Sequence, residues 1–227
     1  MSLKGAARGL LVSLVQRAVQ SRDNHRYDDV IRLAYQFLKS NQVDGDYLEF
    51  GSYRGRTFTS AWRAISRAER PDHLYCFDSF EGLPAIDAVD KGTVFVEGKY
   101  AMSLEDFQAI ARKANCPPSR YTPVKGFYSE SLTPELYDKL APPLRKAALI
   151  YVDCDLYTST RDALEFCYPC LQTGTVLCFD DFFTFSGDRK KGEQLALAEF
   201  LERHPDISVV DYHLYGWHGK SFIINRD

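Results

Sequence analysis

Four aspartates give this chain its clearest chemical signal. Between Ala148 and Asp181 lie two short apolar runs. The first ends in Asp153 and Asp155, the second in Asp180 and Asp181. Runs rich in Leu, Ile, Val, Tyr and Phe, with about twenty residues of helical pattern between them, predict two parallel buried strands joined by a crossover helix. Ligands gather at the carboxyl ends of such strands, so one crevice receives all four carboxylates. No Arg or Lys stands within residues 152–157 or 179–182 to neutralise them. Their repulsion invites a hard divalent cation with oxygen ligands, such as Mg²⁺. Taken singly, each aspartate reads equally well as a helix cap after a strand.

A second cluster lies earlier. Glu49-Phe50-Gly51-Ser52-Tyr53-Arg54-Gly55 is a strand breaking into a glycine turn, after which Phe58, Ala61, Trp62 and Ile65 resume helical spacing. Gly51 permits a sharp turn and a close backbone approach to a ligand, and Gly55 lets the helix start lie near it. The spacing departs from the dinucleotide fingerprint Gly-x-Gly-x-x-Gly, which disfavours a nicotinamide oxidoreductase. Glu49 repels a pyrophosphate but attracts an ammonium group, as carried by S-adenosylmethionine. The next apolar run, Leu74 to Phe77, ends in Asp78, placed to accept from ribose hydroxyls, with Ser79 beside it. Further on, Gly126 and Phe127 follow a third run, Tyr121 to Val124, and can line an adenine. A purely structural glycine turn remains an equal reading of the first motif.

These groups need elements to position them. The pattern predicts amphipathic helices at Leu10 to Val19 and Val30 to Leu38, then strands alternating with helices, and a closing strand pair at Ile207 to Val210 and Ser221 to Ile224. Ser103 and Asp106 form a capping box ahead of one helix. Asp78 to Ala101 has little periodicity and is long for a compact connection. It reads as a mobile substrate lid with few apolar anchors, or as an ordinary surface loop. His213 and His218 are candidate bases placed outside the parallel strands, where hairpin or surface roles are the expectation.

With 227 residues, 45% of them apolar, the chain suits one domain, with residues 1–44 as N-terminal helices and 45–227 as the α/β core. A net charge of -3 without a basic run argues against nucleic-acid binding. No apolar stretch is long enough for a membrane span, and Gln16 and Arg17 interrupt the one that faintly resembles a signal peptide. A cytoplasmic protein acting on a small molecule is expected, with the N-terminal helices available for a second subunit. The six cysteines read as reduced packing, including the Cys167–Cys170 pair at a helix end.

Glu49 to Gly55, Asp78-Ser79-Phe80-Glu81-Gly82-Leu83-Pro84, Asp153-x-Asp155-Leu156-Tyr157-x-Ser159-Thr160 and Asp180-Asp181-Phe182 together resemble the macrocin O-methyltransferase family of sugar-hydroxyl methyltransferases. The resemblance implies a Rossmann-like class I methyltransferase fold: a doubly wound, mostly parallel seven-stranded sheet. It implies S-adenosylmethionine at Glu49, Gly51, Ser52, Gly55, Asp78, Ser79, Gly126, Phe127 and Asp153. It further implies Mg²⁺ on Asp153, Asp180 and Asp181, Asp153 as base, Asp155 behind these ligands, and a hydroxylated small molecule as acceptor. Rival readings are a metal-independent methyltransferase and a non-catalytic cofactor-binding protein. Arg56 and Thr57 stand where the family usually has small residues.

Overall fold

A computed structural model describes residues 29–91, 94–140, 144 and 146–227. The helix expected at Leu10 to Val19 lies outside the described residues. A helix, α1, covers 29–40. The following elements are β1 (Asp46–Phe50), α2 (Arg56–Arg67), β2 (Leu74–Asp78), α3 (Leu104–Lys113), β3 (Tyr121–Lys125), α4 (Tyr128–Ser131), α5 (Pro134–Leu140) and β4 (Ala147–Val152). The chain closes with α6 (Tyr157–Cys167), β5 (Val176–Phe179), α7 (Gly192–Arg203), β6 (Ile207–Tyr215) and β7 (Gly219–Arg226).

The strands form one seven-stranded sheet in the order β3-β2-β1-β4-β5-β7-β6. β1 to β5 run parallel and β7 is antiparallel to both its neighbours. Every residue of β4 and β5 is buried, as continuous apolar strands covered on both faces must be. Alternation along the strands sorts their side chains into two cores. Tyr47, Cys76, Leu149, Tyr151 and Cys178 pack with Ile31, Leu38, Phe58 and Phe107. Leu48, Phe50, Phe77, Val152 and Phe179 pack with Leu164, Leu197 and Phe200. Thus α1 packs against the sheet.

The strand order reverses between β1 and β4, and a crevice opens at their carboxyl ends. Gly51 sets how closely those ends approach. Its φ is +88°, and a Cβ there would stand 1.8 Å from the carbonyl oxygen of Asp153. The glycine therefore also permits a close approach within the chain itself. The capping box forms, with Ser103 Oγ accepting from the Asp106 N–H at 3.1 Å. Both Cys167 and Cys170 are buried thiols at the end of α6.

The segment after β2 differs from the expectation of few anchors. Leu83 and Phe95 are buried with Leu156 and Phe185. Asp90 is fully buried, and its Oδ2 accepts from the Tyr157 N–H at 2.9 Å. The cap of α6 thus comes from this segment instead of from Asp153 or Asp155. No described helix is long and apolar enough to cross a membrane.

Candidate active site

A cavity of about 400 Å³ lies at the crevice, within the range of small-molecule sites. Gly51, Asp78, Ser79, Gly126, Phe127, Asp153, Asp180 and Asp181 all line it. The residues expected from distant parts of the chain therefore meet at one cavity. Three expected residues do not line it. Glu49 and Ser52 are buried, and Gly55 faces α3, where a Cβ would meet Ile110 at 3.1 Å.

The β1–β2 side is held by backbone donors. Asp78 Oδ2 accepts from the Ser52 N–H at 2.7 Å and Oδ1 from the Phe80 N–H at 2.7 Å. Each oxygen keeps a lone pair, which suits hydroxyl donors from a ribose. Burial raises the Asp78 pKa while these two hydrogen bonds oppose it. Glu49 Oε2 accepts from the Tyr47 hydroxyl, whereas the buried Oε1 has no partner among the described residues. Burial pushes the Glu49 carboxyl up to about 7.

The β4–β5 side has a different character. One carboxylate oxygen from each of Asp153, Asp155 and Asp181 lies within 4.8 Å of the others. Asp155 takes a left-handed backbone, φ 64°, as the chain leaves β4. The expected ligand set named Asp180 in place of Asp155. Asp180 Oδ1 accepts from the Tyr151 hydroxyl at 2.7 Å, while Asp155 joins the tight triple. Burial, then the charges of Asp180, Asp155 and Asp181, drives the Asp153 carboxyl well above its ordinary range. Burial followed by Asp181 does the same to Asp155, and moves Asp180 to about 7. Three carboxylates converging in a half-buried wall fit a hard divalent ion.

Two neighbours, Arg56 and Glu193, had no assigned role in the sequence reading, and a third, His218, was weighed there as a candidate base. Arg56 lines the cavity, and its charge favours the ionised form of Asp180, so the acids are not without a cation. Arg56 belongs to another strand's helix, beyond any local window around the aspartates. Glu193, at the start of α7, is buried and accepts from the Asp181 N–H at 3.0 Å through Oε2. Nothing local distinguishes it from a helix's ordinary first-turn acid. His218 lies in the β6–β7 turn with Nδ1 on the Asp180 carbonyl and 3.9 Å from Asp180 Oδ2. This is the hairpin position the sequence suggested, and from it the ring meets Asp180. His213 stays on β6, its N–H bonded to Ser221.

Two curated relatives from Streptomyces are similar over part of their length. The first, 8-demethyl-8-(2,3-dimethoxy-alpha-L-rhamnosyl)-tetracenomycin-C 4'-O-methyltransferase of Streptomyces olivaceus, is 29% identical over 68% of this chain and 59% of its own. The second, demethyldecarbamoylnovobiocin O-methyltransferase of Streptomyces niveus, is 27% identical over 67% and 58%. The chain thus matches under two thirds of either relative. The crystal structure of the calicheamicin methyltransferase CalS11 superposes with a TM-score of 0.69 at 23% identity, covering 86% of this chain and 77% of that one, a likeness of fold. The Macrocin-O-methyltransferase (TylF) family matches residues 22–215, and with that span the chain belongs to this family.

Proposed function

We propose that the protein is an S-adenosylmethionine-dependent O-methyltransferase acting on a hydroxyl of a small molecule, a sugar or other vicinal diol of a natural product, with Mg²⁺ at the carboxylate cluster. One observation carries the reading: Gly51 and Asp78 share a single cavity with Asp153, Asp155 and Asp181. Family membership and the names of the two relatives support transfer to a sugar or natural-product oxygen.

Asp78 receives the ribose hydroxyls, the buried Glu49 and Ser52 face the ammonium end, and Ser79, Gly126 and Phe127 border the adenine. Gly55 serves the start of α2. Bound S-adenosylmethionine supplies a sulfonium methyl whose carbon bonds to the acceptor oxygen as the electron pair of the broken bond returns to sulfur. A divalent cation supplies positive charge against which a hydroxyl ionises more easily. The carboxylates that hold it are Asp153, Asp155 and Asp181, with Asp180 adjacent and oriented by Tyr151 and His218. Asp153 takes the hydroxyl proton, and Asp155, at the same strand end, is the alternative acceptor. Alignment of oxygen and methyl in a walled cavity supplies much of the acceleration.

The test is methyl transfer from S-adenosylmethionine to a panel of hydroxylated acceptors, followed by mass spectrometry. Product is expected with Mg²⁺, lost with EDTA and regained on adding Mg²⁺. Transfer that survives exhaustive chelation removes the metal and leaves a metal-independent enzyme. Cofactor binding without transfer to any acceptor leaves a non-catalytic binding protein.

A further inference from the structure

The chain leaves β5 at the acidic wall, and α7 grips it there. The Asp180 N–H still belongs to the ladder, donating to the Val152 carbonyl at 2.9 Å. The next amide, that of Asp181, turns away from the strands and donates to Glu193 Oε2 at 3.0 Å. One residue on, the Phe182 carbonyl accepts from Gln194 Nε2 at 2.8 Å. Neighbouring side chains in the first turn of α7 therefore hold an amide and a carbonyl of one short stretch, whose backbone cannot shift without breaking a bond. Thr184 Oγ1 fixes the side chain itself, donating to Asp181 Oδ1 at 2.6 Å. The start of α7 is seated closely. Gly192 has φ 52°, and a Cβ there would stand 2.5 Å from the Phe185 ring.

Glu193 occupies this position at a cost. It is 1% exposed, and its Oε1 has no partner among the described residues. Burial, then the charges of Asp181, Asp180 and Asp155, raises its pKa. An acid in the first turn of a helix ordinarily serves that helix's own free amides and dipole. This one is turned to the residue that completes the triple with Asp153 and Asp155, whose oxygens converge within 4.8 Å. Groups that orient an ion's ligands govern its affinity, because a displaced carboxylate no longer converges with the others.

We propose that Glu193, assisted by Gln194, is the positioning residue of the acidic wall: by holding the backbone of Asp181 and Phe182 it brings the Asp181 carboxylate into the triple, and the reach of its side chain sets the affinity for a divalent ion. This inference rests on the reading that the triple holds such an ion.

The experiment is calorimetric titration of MgCl₂ into protein saturated with S-adenosylhomocysteine, for the wild type, Glu193→Asp, Glu193→Gln and Gln194→Ala. Glu193→Asp keeps the charge but withdraws the oxygen by one methylene, and is expected to weaken Mg²⁺ by about tenfold or more. Glu193→Gln keeps the reach and an acceptor oxygen, and stays closer to the wild type than Glu193→Asp does. Gln194→Ala, which breaks the grip on the carbonyl alone, weakens Mg²⁺ by a smaller factor. Affinity for S-adenosylhomocysteine stays within about twofold throughout, as it would not if the fold were generally loosened. Mg²⁺ binding as tight in Glu193→Asp as in the wild type overturns the proposal, and so does a Glu193→Gln protein weaker than Glu193→Asp. Should the Glu193 variants fail to fold, Gln194→Ala decides, and unchanged Mg²⁺ affinity there overturns it. A wild type that binds no Mg²⁺ removes the metal reading and this inference with it, whereas tight binding indifferent to residues 193 and 194 removes this inference alone.

Discussion

The two sides of the cavity solve the problem of buried carboxylates in opposite ways. On the β1–β2 side, both oxygens of Asp78 are met by backbone N–H groups fixed by the fold. On the β4–β5 side, Asp153, Asp155 and Asp181 converge, and burial and mutual repulsion push the Asp153 and Asp155 carboxyls well above their ordinary range. At Asp78 the first side is fixed by the backbone and suits a ligand by geometry. The second is electrostatically frustrated, and is a place where an added positive charge changes the most. On the proposed reading, binding and chemistry belong to separable halves that touch at Gly51.

The largest effect expected from this division is at Asp181. Asp181→Asn lowers methyl transfer by on the order of 10³-fold, about 4 kcal/mol, while S-adenosylmethionine affinity stays within about twofold. Single-turnover rates with parallel calorimetry measure both. Equal losses in rate and affinity would merge the two halves into one.

At the seam, Gly51→Ala forces a side chain into the Asp153 carbonyl at an unfavourable φ. A stability loss of about 3 kcal/mol is expected in chemical denaturation, with both binding functions impaired. A variant of wild-type stability would show that the strand ends can separate without cost. On the cofactor side alone, Asp78→Ala weakens S-adenosylmethionine by about 1–3 kcal/mol with the fold intact by circular dichroism. Unchanged affinity would remove Asp78 from the site.

Glu49 sharpens the comparison through pH. Burial raises its folded value from 4.5 to about 7, so the folded protein without ligand favours the neutral acid. Its contribution to stability is full below pH 4.5 and is lost as the pH rises through about 7. An ammonium partner favours the carboxylate, so cofactor affinity should fall as pH drops from 7 to 5.5, by up to about tenfold per unit. Calorimetry across that range, with Glu49→Gln as the flat control, reads it. The smallest effect belongs to Asp90→Ala, which removes the cap of α6 at a cost of about 1 kcal/mol. Faster hydrogen exchange confined to residues 79–91 and the first turn of α6 is expected. Unaltered exchange would mean that Leu83 and Phe95 hold the segment alone.

Local pattern alone determined much of this protein. Continuous apolar runs such as Ala147 to Val152 can only be buried strands, and each ends at a residue the cavity uses, so the βαβ order, Asp78 and the four aspartates were readable from spacing. The antiparallel closing pair was readable too, from two runs around a glycine-rich turn.

What the tertiary structure decided is which groups meet across long sequence separations. Asp155 rather than Asp180 completes the tight triple because a left-handed residue turns the chain after β4, and no residue type announces that φ. Arg56, Glu193, His218 and Trp217 reach the site from α2, α7 and the β6–β7 turn, elements whose own periodicity says nothing of the crevice. The segment after β2 looked unanchored because its apolar residues are few and aperiodic. Leu83 and Phe95 nevertheless bury against Leu156 and Phe185, and Asp90 caps a helix 67 residues away. Such contacts depend on three-dimensional proximity, which periodicity along the chain does not encode.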